Sequence, residues 1–494
     1  MAQTIPLTDL PPGLAAALPL RRALYYGGAW HEPDGGYADT FSPATGNNLG
    51  PTAVANATDV DRAVAAASAA FQDWRNSSPH ERAALLRRMA DTVRANAKRL
   101  ATIDALNCGS PLSELLRDIA HSATYLEFFA GLVHEIKGST SQSGDGAVNF
   151  TQREPLGVCA RILAYNHPIM FLCMKLAPAI AAGNCVIMKP PAQAPLSAYC
   201  FMELVDGILP PGVLNILTGG VECGEALTAH RDVPLVTLIG SAATGRAIMR
   251  GAADRLKRVI FELGGKNAMI VYPDADIGRA VAGAAKGMNF GWAGQSCSST
   301  SRLFVHDAVY EQVVEGLKSA VSAYRPGLPT DAATNMGSLI SQAQLDKVMH
   351  YIEWGKKEGA RLVLGGKRPE APELAEGFFL EPTIFTDVTS DMRIAQEEIF
   401  GPVLAVLRWS DEEELFRQVN GVDYGLTAAI YTRDLATAHR ASKRVEAGYI
   451  WVNNTSIHVL GAPYGGVKQS GIGREESIDE LLEFTHLKSV NITL

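Results

Sequence analysis

Apolar positions recur at helical spacing in the first quarter of the chain. An Ala-rich run begins at Thr58, where Thr58 and Asp61 resemble a capping box, and it extends to Trp74. A second helix is predicted from Pro79, because apolar residues follow it three or four positions apart. A third helix is predicted over residues 111–132. This part of the chain therefore predicts a group of helices that precedes the main strands.

The pattern changes to alternating polar and apolar residues between positions 137 and 153. The sequence Ser-Gly-Asp-Gly at 143–146 lies in the middle of this stretch, which predicts two strands joined by a tight turn. An isolated hairpin has little apolar surface of its own to bury, so it is expected to pack on another subunit or domain. A solvent-exposed ribbon is the alternative.

From Gly157 onward, short apolar runs alternate with Ala- and Leu-rich helical segments. This alternation is typical of parallel sheets that are covered by helices on both faces. The first block ends at residue 262, so we predict an α/β protein with two such units and a cleft between them. The predicted strands are 158–164, 185–188, 213–217, 236–239 and 258–262 in the first block, and 268–272, 301–305, 360–364, 383–386 and 403–408 in the second.

Composition and charge narrow the functional classes. The chain has 494 residues and a formal net charge of −8, which predicts two or three globular domains and argues against a nucleic-acid or anionic-membrane partner. No stretch suggests a membrane span and the first residues lack the features of a signal peptide, so a cytoplasmic location is expected. The seven cysteines are odd in number and show no CxxC spacing, which predicts free thiols and no metal site.

Two segments of the first block have the chemistry of a nucleotide site. Gly240 and Gly245 flank the turn from a predicted strand to a helix, where free backbone N–H groups can meet a phosphate. The spacing differs from the GxGxxG fingerprint, and a plain turn is an equal alternative. Lys189 ends another predicted strand, at the sheet edge where ligands collect, and could hold ribose hydroxyls or a phosphate. The alternative is a solvated surface lysine.

Two further segments have the chemistry of acyl transfer. Glu262 ends an apolar strand beside two glycines, where a carboxyl group should have a raised pKa and could act as a general base. The alternative is an ordinary ion pair with Lys266. Cys297 lies among small polar residues, which leave room for a substrate and favour a thiolate. The alternative is a structural cysteine.

In this order and context, the segments resemble the aldehyde dehydrogenase superfamily of the NAD(P)-dependent, non-acylating kind, over nearly the whole chain. The matching motifs are Leu-Ala-Tyr-Asn-His-Pro at 163–168 in place of the family's Pro-Trp-Asn-Phe-Pro, Glu-Leu-Gly-Gly-Lys at 262–266, Gly-Gln-Ser-Cys at 294–297, Glu-Glu-Ile-Phe-Gly-Pro at 397–402, Pro-Tyr-Gly-Gly at 463–466 and Ser-Gly-Ile-Gly-Arg at 470–474.

The resemblance implies a role for each matching catalytic residue. Cys297 would attack the aldehyde carbonyl to give a thiohemiacetal. The side-chain amide of Asn166 and the backbone N–H of Cys297 would form the oxyanion hole. Glu262 would activate the water that hydrolyses the resulting thioester to the carboxylic acid. Lys266 would help to position that glutamate, as its counterpart does in some relatives.

The resemblance also implies the cofactor residues. Lys189 would hold the adenosine ribose, and Gly240, Ser241 and Gly245 would line the pyrophosphate. Glu398 would bind the nicotinamide ribose, with Phe400 near the ring, and Tyr165 and Leu263 are expected beside the cofactor. Ala192 stands where many NAD-preferring relatives carry a glutamate, so NAD is expected and NADP is not excluded.

For the fold, the resemblance implies two Rossmann-like parallel-sheet domains and a protruding β-hairpin arm for oligomerisation. The cofactor-binding domain would comprise 1–136 and 154–262, with a return at about 447–475, and the catalytic domain 263–446. The segments 137–153 and 476–494 would make the contacts of a homodimer or homotetramer.

Four residues bear on the substrate. His167 replaces a phenylalanine that is common after the oxyanion-hole asparagine, and His458 and Tyr464 lie on the loop that faces the substrate tunnel in relatives. With Phe171, they would line a tunnel that suits a polar or aromatic aldehyde. The alternative is that both histidines hydrogen-bond only to the protein.

Three other functions compete with aldehyde oxidation to the acid. CoA-acylating relatives usually lack a glutamate at the position of Glu262. A catalytically silent structural relative would tend to lose Cys297 or Glu262, and both are present. A thiol hydrolase would need a histidine aligned with Cys297, and the nearest one in sequence is His306.

Overall fold

The computed structural model describes residues 10–142 and 146–493. Its helices are α1 Pro12–Ala15, α2 Ala57–Trp74, α3 Pro79–Ala95, α4 Ala97–Cys108, α5 Leu112–Leu132, α6 Pro168–Ala181, α7 Leu196–Val205, α8 Val221–Ala229, α9 Ala242–Ala253, α10 Ile277–Gly287, α11 Tyr310–Val321, α12 Gln342–Lys357, α13 Arg393–Gln396, α14 Glu412–Asn420, α15 Leu435–Arg444 and α16 Ile478–Glu483.

The strands follow the predicted alternation with the helices. They are β1 Leu24–Tyr26, β2 Ala29–His31, β3 Tyr37–Phe41, β4 Asn48–Ala53, β5 Thr140–Gln142, β6 Ala147–Pro155, β7 Val158–Ile162, β8 Cys185–Lys189, β9 Leu214–Ile216, β10 Leu235–Ile239, β11 Arg258–Glu262, β12 Ala268–Val271, β13 Arg302–His306, β14 Arg361–Leu364, β15 Thr383–Thr386, β16 Val403–Trp409, β17 Tyr424–Gly425, β18 Thr427–Tyr431, β19 Tyr449–Val452, β20 Val467–Lys468, β21 Gly471–Ile472 and β22 Thr485–Thr493.

The first large sheet has the strand order β2-β1-β9-β8-β7-β10-β11-β21. Its five central strands are parallel, whereas β1, β2 and β21 pair antiparallel at the two edges. Every residue of β8 and β10 is buried, as expected for strands that helices cover on both faces. The predicted parallel α/β unit is therefore confirmed.

The second large sheet has the order β14-β15-β16-β13-β12-β18-β19. It is parallel except for β14, which pairs antiparallel with β15 at the edge. All ten strands predicted for the two units are present, with ends that differ by at most two residues. The strands β18 and β19 were not predicted.

The helix start predicted at Thr58 is wrong. The cap of α2 is Asn56, whose Oδ1 accepts a hydrogen bond of 3.1 Å from the N–H of Asp59. The Asp59 carboxylate in turn accepts a hydrogen bond of 3.1 Å from the N–H of Asn56. Both side chains of this capping box therefore lie two residues before the predicted pair Thr58 and Asp61, and Thr58 is exposed on the first turn of the helix.

The segment of the predicted hairpin belongs to a separate antiparallel sheet with the order β22-β6-β5. Strand β6 pairs with β22 over nine residues, from Ala147 with Thr493 to Pro155 with Thr485. Residues 143–145 of the predicted turn lie outside the described residues. The role of this sheet in oligomerisation stays a prediction.

The topology brings the ends of four parallel strands to one edge of the first sheet. Strands β8, β7, β10 and β11 are neighbours in that order and run in the same direction, so the segments that follow them meet at the same edge. Asn166, Lys189, Gly240 and Glu262 all lie on these segments. Among the described helices, none is both long enough and apolar enough to cross a membrane.

Candidate active site

A cleft of about 960 Å³ runs along the carboxyl ends of these strands. Helix α12 and the loops that precede β13 and β16 also line it, so the cleft has walls from both halves of the chain. Nine of the predicted residues line the cleft, namely Tyr165, Asn166, Lys189, Gly240, Ser241, Glu262, Cys297, Glu398 and Phe400. Gly245 and Leu263 lie behind this lining and pack on each other, since a Cβ at Gly245 would be 3.0 Å from Leu263 Cδ1.

Cys297 differs from the other six cysteines in its exposure. It is partly exposed to the cleft, whereas the other six are fully buried; all seven are free thiols, as predicted. Its Sγ lies 3.9 Å from the hydroxyl oxygen of Tyr464, and its backbone carbonyl accepts a hydrogen bond of 2.7 Å from Asn267 Nδ2. Burial and the adjacent Glu262 carboxylate raise the pKa of the Cys297 thiol well above its ordinary value. The thiol therefore needs a proton acceptor before it can act as a nucleophile.

Glu262 is a buried carboxyl group with an unused oxygen. It ends β11 and its Oε1 has no hydrogen-bond partner among the described residues. Burial, followed by the nearby Glu475, raises the pKa of Glu262 to about 8, and contact with the Cys297 thiol offsets part of this rise. A group with this pKa can take up and release a proton near neutral pH.

The structure does not contain the ion pair between Glu262 and Lys266 that was the alternative from sequence. The Nζ of Lys266 has no hydrogen-bond partner among the described residues. Burial and then the Arg302 guanidinium lower the pKa of Lys266 to about 7. Lys266 is thus buried on its own beneath the cleft.

Two hydrogen-bond donors beside Cys297 are unused. Asn166 follows β7 and is almost fully buried, yet within the described residues its side-chain amide makes no hydrogen bond to the protein. The backbone N–H of Cys297 also lacks an acceptor in this part of the chain. Free donors of this kind at a nucleophile can stabilise an oxyanion.

The other end of the cleft has the features of an anion site. Ser241 caps α9, because its Oγ accepts a hydrogen bond of 3.2 Å from the N–H of Thr244. Ala243 and Thr244, in the first turn of this helix, line the cleft. Lys189 lines the same cleft, nearly buried and without an ion pair among the described residues. Burial lowers the pKa of its ammonium group.

Glu398 and Phe400 lie between these two ends. Glu398 Oε1 accepts a hydrogen bond of 3.0 Å from the N–H of Gly265, and burial raises the pKa of this carboxyl group. Phe400 has a positive φ of 55°, and its carbonyl accepts a hydrogen bond of 2.8 Å from Gln344 Nε2. The Tyr165 ring meets the Phe400 ring edge-on at 5.9 Å. This part of the cleft is therefore held in place by contacts with both halves of the chain.

The four predicted tunnel residues lie outside the lining of the cleft, and among them Tyr464 contacts Cys297. His167 Nδ1 donates to Asp118 Oδ2 at 2.8 Å, and its ring lies 5.3 Å from that of Phe171. His458 Nδ1 donates to Glu476 Oε1 at 2.8 Å, and its ring lies 4.5 Å from that of Tyr464. Both histidines therefore hydrogen-bond to protein carboxylates, and their contact with a substrate stays a prediction.

Comparison of the whole chain with known proteins decides its family. The family model described as "Aldehyde dehydrogenase family" matches residues 30–490. The chain belongs to the aldehyde dehydrogenase family. This confirms the resemblance and the enzyme class predicted from the sequence.

Two relatives match this aldehyde dehydrogenase over nearly their full lengths. "Aldehyde dehydrogenase tropH" of Talaromyces stipitatus is 50% identical over 491 residues, which are 98% of this chain and 95% of that protein. "Betaine aldehyde dehydrogenase" of Brucella anthropi is 43% identical over 473 residues, which are 95% of this chain and 97% of that protein.

Two solved structures share the fold closely. Indole-3-acetaldehyde dehydrogenase AldA of P. syringae, in complex with NAD+ and IAA, has a TM-score of 0.94 and 37% identity and covers 97% of this chain and 98% of its own. Betaine aldehyde dehydrogenase of Staphylococcus aureus, in complex with NAD+, has a TM-score of 0.95 and 32% identity and covers 97% of both chains.

Several residues of this aldehyde dehydrogenase were not predicted from sequence. Gln344, Lys347 and Glu225 line the cleft from α12 and α8. Behind Glu262, Lys175 pairs with Glu475 and lies 4.0 Å from Glu480, which also pairs with Arg161 at 3.4 Å. A charge inside an otherwise apolar run, such as Lys175 in residues 168–181, was the signal that could have revealed this network.

Proposed function

We propose that this enzyme oxidises an aldehyde to the carboxylic acid with NAD+, with Cys297 as the nucleophile and Glu262 as the general base. The observation that carries the proposal is the contact between the partly exposed Cys297 thiol and the buried Glu262 carboxyl group, which has an unused oxygen at the bottom of a long cleft. A thiol with a raised pKa and a carboxyl group with a pKa of about 8 form a pair that can exchange a proton.

In the first step, the Cys297 thiol gives up its proton to the adjacent Glu262 carboxylate, and Sγ forms a bond to the aldehyde carbon. The carbonyl π electrons move to oxygen, which becomes an oxyanion. The Asn166 amide and the Cys297 N–H, both without other acceptors, would donate to this oxygen. Removing one such donor typically raises the barrier by about 3 kcal/mol.

The cleft fits a dinucleotide. Free N–H groups at the start of α9 suit a pyrophosphate, and the unpaired Lys189 and the Glu398 carboxylate suit ribose hydroxyls. When bound, NAD+ supplies the acceptor for the hydride that leaves the thiohemiacetal carbon, so that the acyl group remains on Cys297 as a thioester. The related structures in complex with NAD+ support this assignment.

Once Glu262 has released the thiol proton to solvent, it removes a proton from water in the second step. The hydroxide oxygen adds to the thioester carbon, the C–S bond breaks, and Cys297 leaves as a thiolate with release of the carboxylic acid. This step requires the unprotonated form of Glu262, which its burial disfavours.

The charge of the lining favours NAD+ over NADP+. Ala192 gives no charge at the ribose end of the cleft, but the Glu225 carboxylate lies in the same lining as Lys189. A carboxylate there would repel a 2′-phosphate. The division into a cofactor-binding part and a catalytic part at residue 262 belongs to the same proposal and is supported by the two separate sheets.

The test is absorbance at 340 nm with the purified enzyme, a panel of aliphatic, semialdehyde and aromatic aldehydes, and NAD+ or NADP+. We expect an aldehyde-dependent rise with NAD+ that exceeds the rise with NADP+, and no rise with the Cys297→Ala variant. A chain that binds NAD+ but oxidises no aldehyde would contradict the proposal.

A further inference from the structure

We propose that His458 and His167 bind an oxyanion that the substrate carries in addition to its aldehyde group. The inference rests on the proposed aldehyde oxidation and names its substrate class. An aldehyde with a carboxylate or an ionised ring hydroxyl would place the aldehyde carbon at Cys297 and the charged oxygen between the two imidazoles.

His458 is oriented with one ring nitrogen free. Its Nδ1 donates to Glu476 Oε1 at 2.8 Å, whereas its Nε2 has no partner among the described residues. The His458 side chain is 32% exposed, so the free nitrogen is accessible. The ring lies 4.5 Å from the Tyr464 ring, whose hydroxyl is 3.9 Å from Cys297 Sγ. Only one side chain therefore separates this imidazole from the nucleophile.

The charges around His458 favour its protonated form. Burial alone would lower the pKa of His458, but the carboxylates of Glu476 and Glu475 outweigh this effect, so that the pKa is raised above its ordinary value of 6.5. The other titratable side chains that face the ring are the phenols of Tyr449 and Tyr464. In the protonated ring Nε2 carries a hydrogen, so it can donate to an anionic oxygen.

His167 has a similar hydrogen bond to a buried carboxylate. It follows Asn166 directly, and its Nδ1 donates to Asp118 Oδ2 at 2.8 Å, which leaves Nε2 without a partner among the described residues. The Trp292 ring lies 5.1 Å away, and the buried indole N–H of Trp292 also lacks an acceptor there. The Trp292 N–H is therefore an unused donor beside the His167 ring, which suits a ligand that accepts hydrogen bonds.

Helix α5 carries a residue of one histidine–carboxylate pair and a neighbour of the other. Asp118 and Tyr125 are seven residues apart on the same face of this helix, a separation of about 10 Å. Tyr125 lies beside Glu476, whose carboxylate, together with burial, raises the pKa of the phenol. Asp118 is 3% and Glu476 is 2% exposed, and two carboxylates buried this deeply cost stability unless they are paired. We infer that they are positioning residues, which orient the two imidazoles.

The first experiment compares kcat/KM for matched aromatic aldehydes with NAD+. The set is 4-carboxybenzaldehyde, 4-hydroxybenzaldehyde at a pH where its hydroxyl is ionised, the neutral methyl 4-formylbenzoate, and 4-(hydroxymethyl)benzaldehyde. One charge-assisted hydrogen bond predicts that at least one anionic aldehyde exceeds both neutral ones by roughly tenfold or more. The better of the two anions identifies the source of the oxyanion.

Equal or better turnover of the neutral aldehydes would overturn this inference and leave the aldehyde oxidation intact. No turnover of any aldehyde would overturn both. The two failures are therefore distinguishable in one experiment.

The second experiment compares His458→Gln, His167→Gln and Glu476→Gln with His350→Gln on the surface of α12 as the matched control. Each of the first three should lower the ratio of anionic to neutral kcat/KM by roughly tenfold through a higher KM for the anion, with kcat for the neutral ester unchanged. His458→Lys should recover part of the ratio that His458→Gln loses. A loss of kcat for charged and neutral aldehydes alike, with no change in the ratio, would show a merely structural role and overturn the inference.

Discussion

At the scale of single residues, the energetics of the site depend on Glu262. A carboxylate with no partner for one oxygen is costly to bury, and the network of Lys175, Glu475 and Glu480 lies directly behind it. Lys175 favours the charged form of Glu262, whereas Glu475 opposes it. The result is a base that is mostly protonated at neutral pH.

The raised pKa of Glu262 predicts how turnover depends on pH. Below about 8 the carboxyl group is protonated and cannot accept a proton, so kcat for an aldehyde with rate-limiting hydrolysis should rise with pH and level off above about 8. At pH 6 it should be about 100-fold below the plateau. A profile that is flat from pH 6 to pH 9 would contradict this account of the base.

The absence of a side chain at Gly264 leaves room for the Glu398 carboxylate. A Cβ at residue 264 would overlap the Glu398 carboxylate, which would have to turn away from the cleft. Gly264→Ala should therefore raise KM for NAD+ by roughly tenfold, which is the effect expected for the loss of one charge-assisted hydrogen bond. The free energy of unfolding should change little. Gly131→Ala in α5 is the control, because a Cβ there meets no atom within 4 Å. Equal KM values for the two variants would remove Glu398 from cofactor binding.

Some features of single residues in the site could be predicted from the sequence, and others could not. Cys297 could be singled out because its neighbours are small and polar, and the structure finds it as the one partly exposed cysteine among the described residues. Glu475 could not be singled out in this way, because its effect on the pKa of Glu262 arises between residues that are more than 200 positions apart in the sequence. Gly245 and Leu263 matched the family's motif, yet their contact with each other could be seen only in the folded chain.

At the scale of elements, strands with continuous apolar runs could be predicted, and strands without them could not. The run Leu-Val-Thr-Leu-Ile of β10 is apolar except for Thr237 and is fully buried. Strand β18 is equally buried, but its sequence Thr-Ala-Ala-Ile-Tyr contains two alanines, which have low β propensity. Strands β1 and β2 have only three residues each, too few for an alternating pattern.

The start of α2 gives a prediction at this scale. Because Asn56 caps the helix, Asn56→Ala should lower the free energy of unfolding by about 1 kcal/mol. Thr58→Ala is the matched control, since Thr58 is exposed and makes no cap, and should change it by less than about 0.5 kcal/mol. Urea denaturation measures both, and a larger effect at Thr58 would restore the cap predicted from sequence.

At the scale of the whole molecule, we assign different functions to the two large sheets and to the small antiparallel sheet. The large sheets bring the ends of strands from different parts of the chain to one cleft, which is why residues as distant as Asn166 and Phe400 line the same cavity. A cleft at the strand ends could be expected from the alternation of strands and helices. The residues of α12 that line it could be identified only from the folded structure, because they depend on how the two sheets and their helices pack together.

The small sheet should hold subunits together. Val148 and Ile492 are direct cross-strand partners and are 46% and 43% exposed, which leaves an apolar pair uncovered. The double variant Val148→Lys and Ile492→Lys should therefore lower the mass of the expected homodimer or homotetramer in sedimentation. Ser489→Lys, on the other face of β22, is the control. An unchanged mass for the double variant would exclude this face from the interface.

The central claim is that Cys297 forms the acyl enzyme and Glu262 releases it. The most direct measurement is rapid mixing of the Glu262→Gln variant with NAD+ and an aldehyde that the wild type oxidises, followed at 340 nm and by mass spectrometry of the protein. We predict a burst of about one NADH per active site, no further turnover, and an acyl adduct on Cys297. Continued turnover at the wild-type rate, or a burst without an adduct on Cys297, would contradict the mechanism.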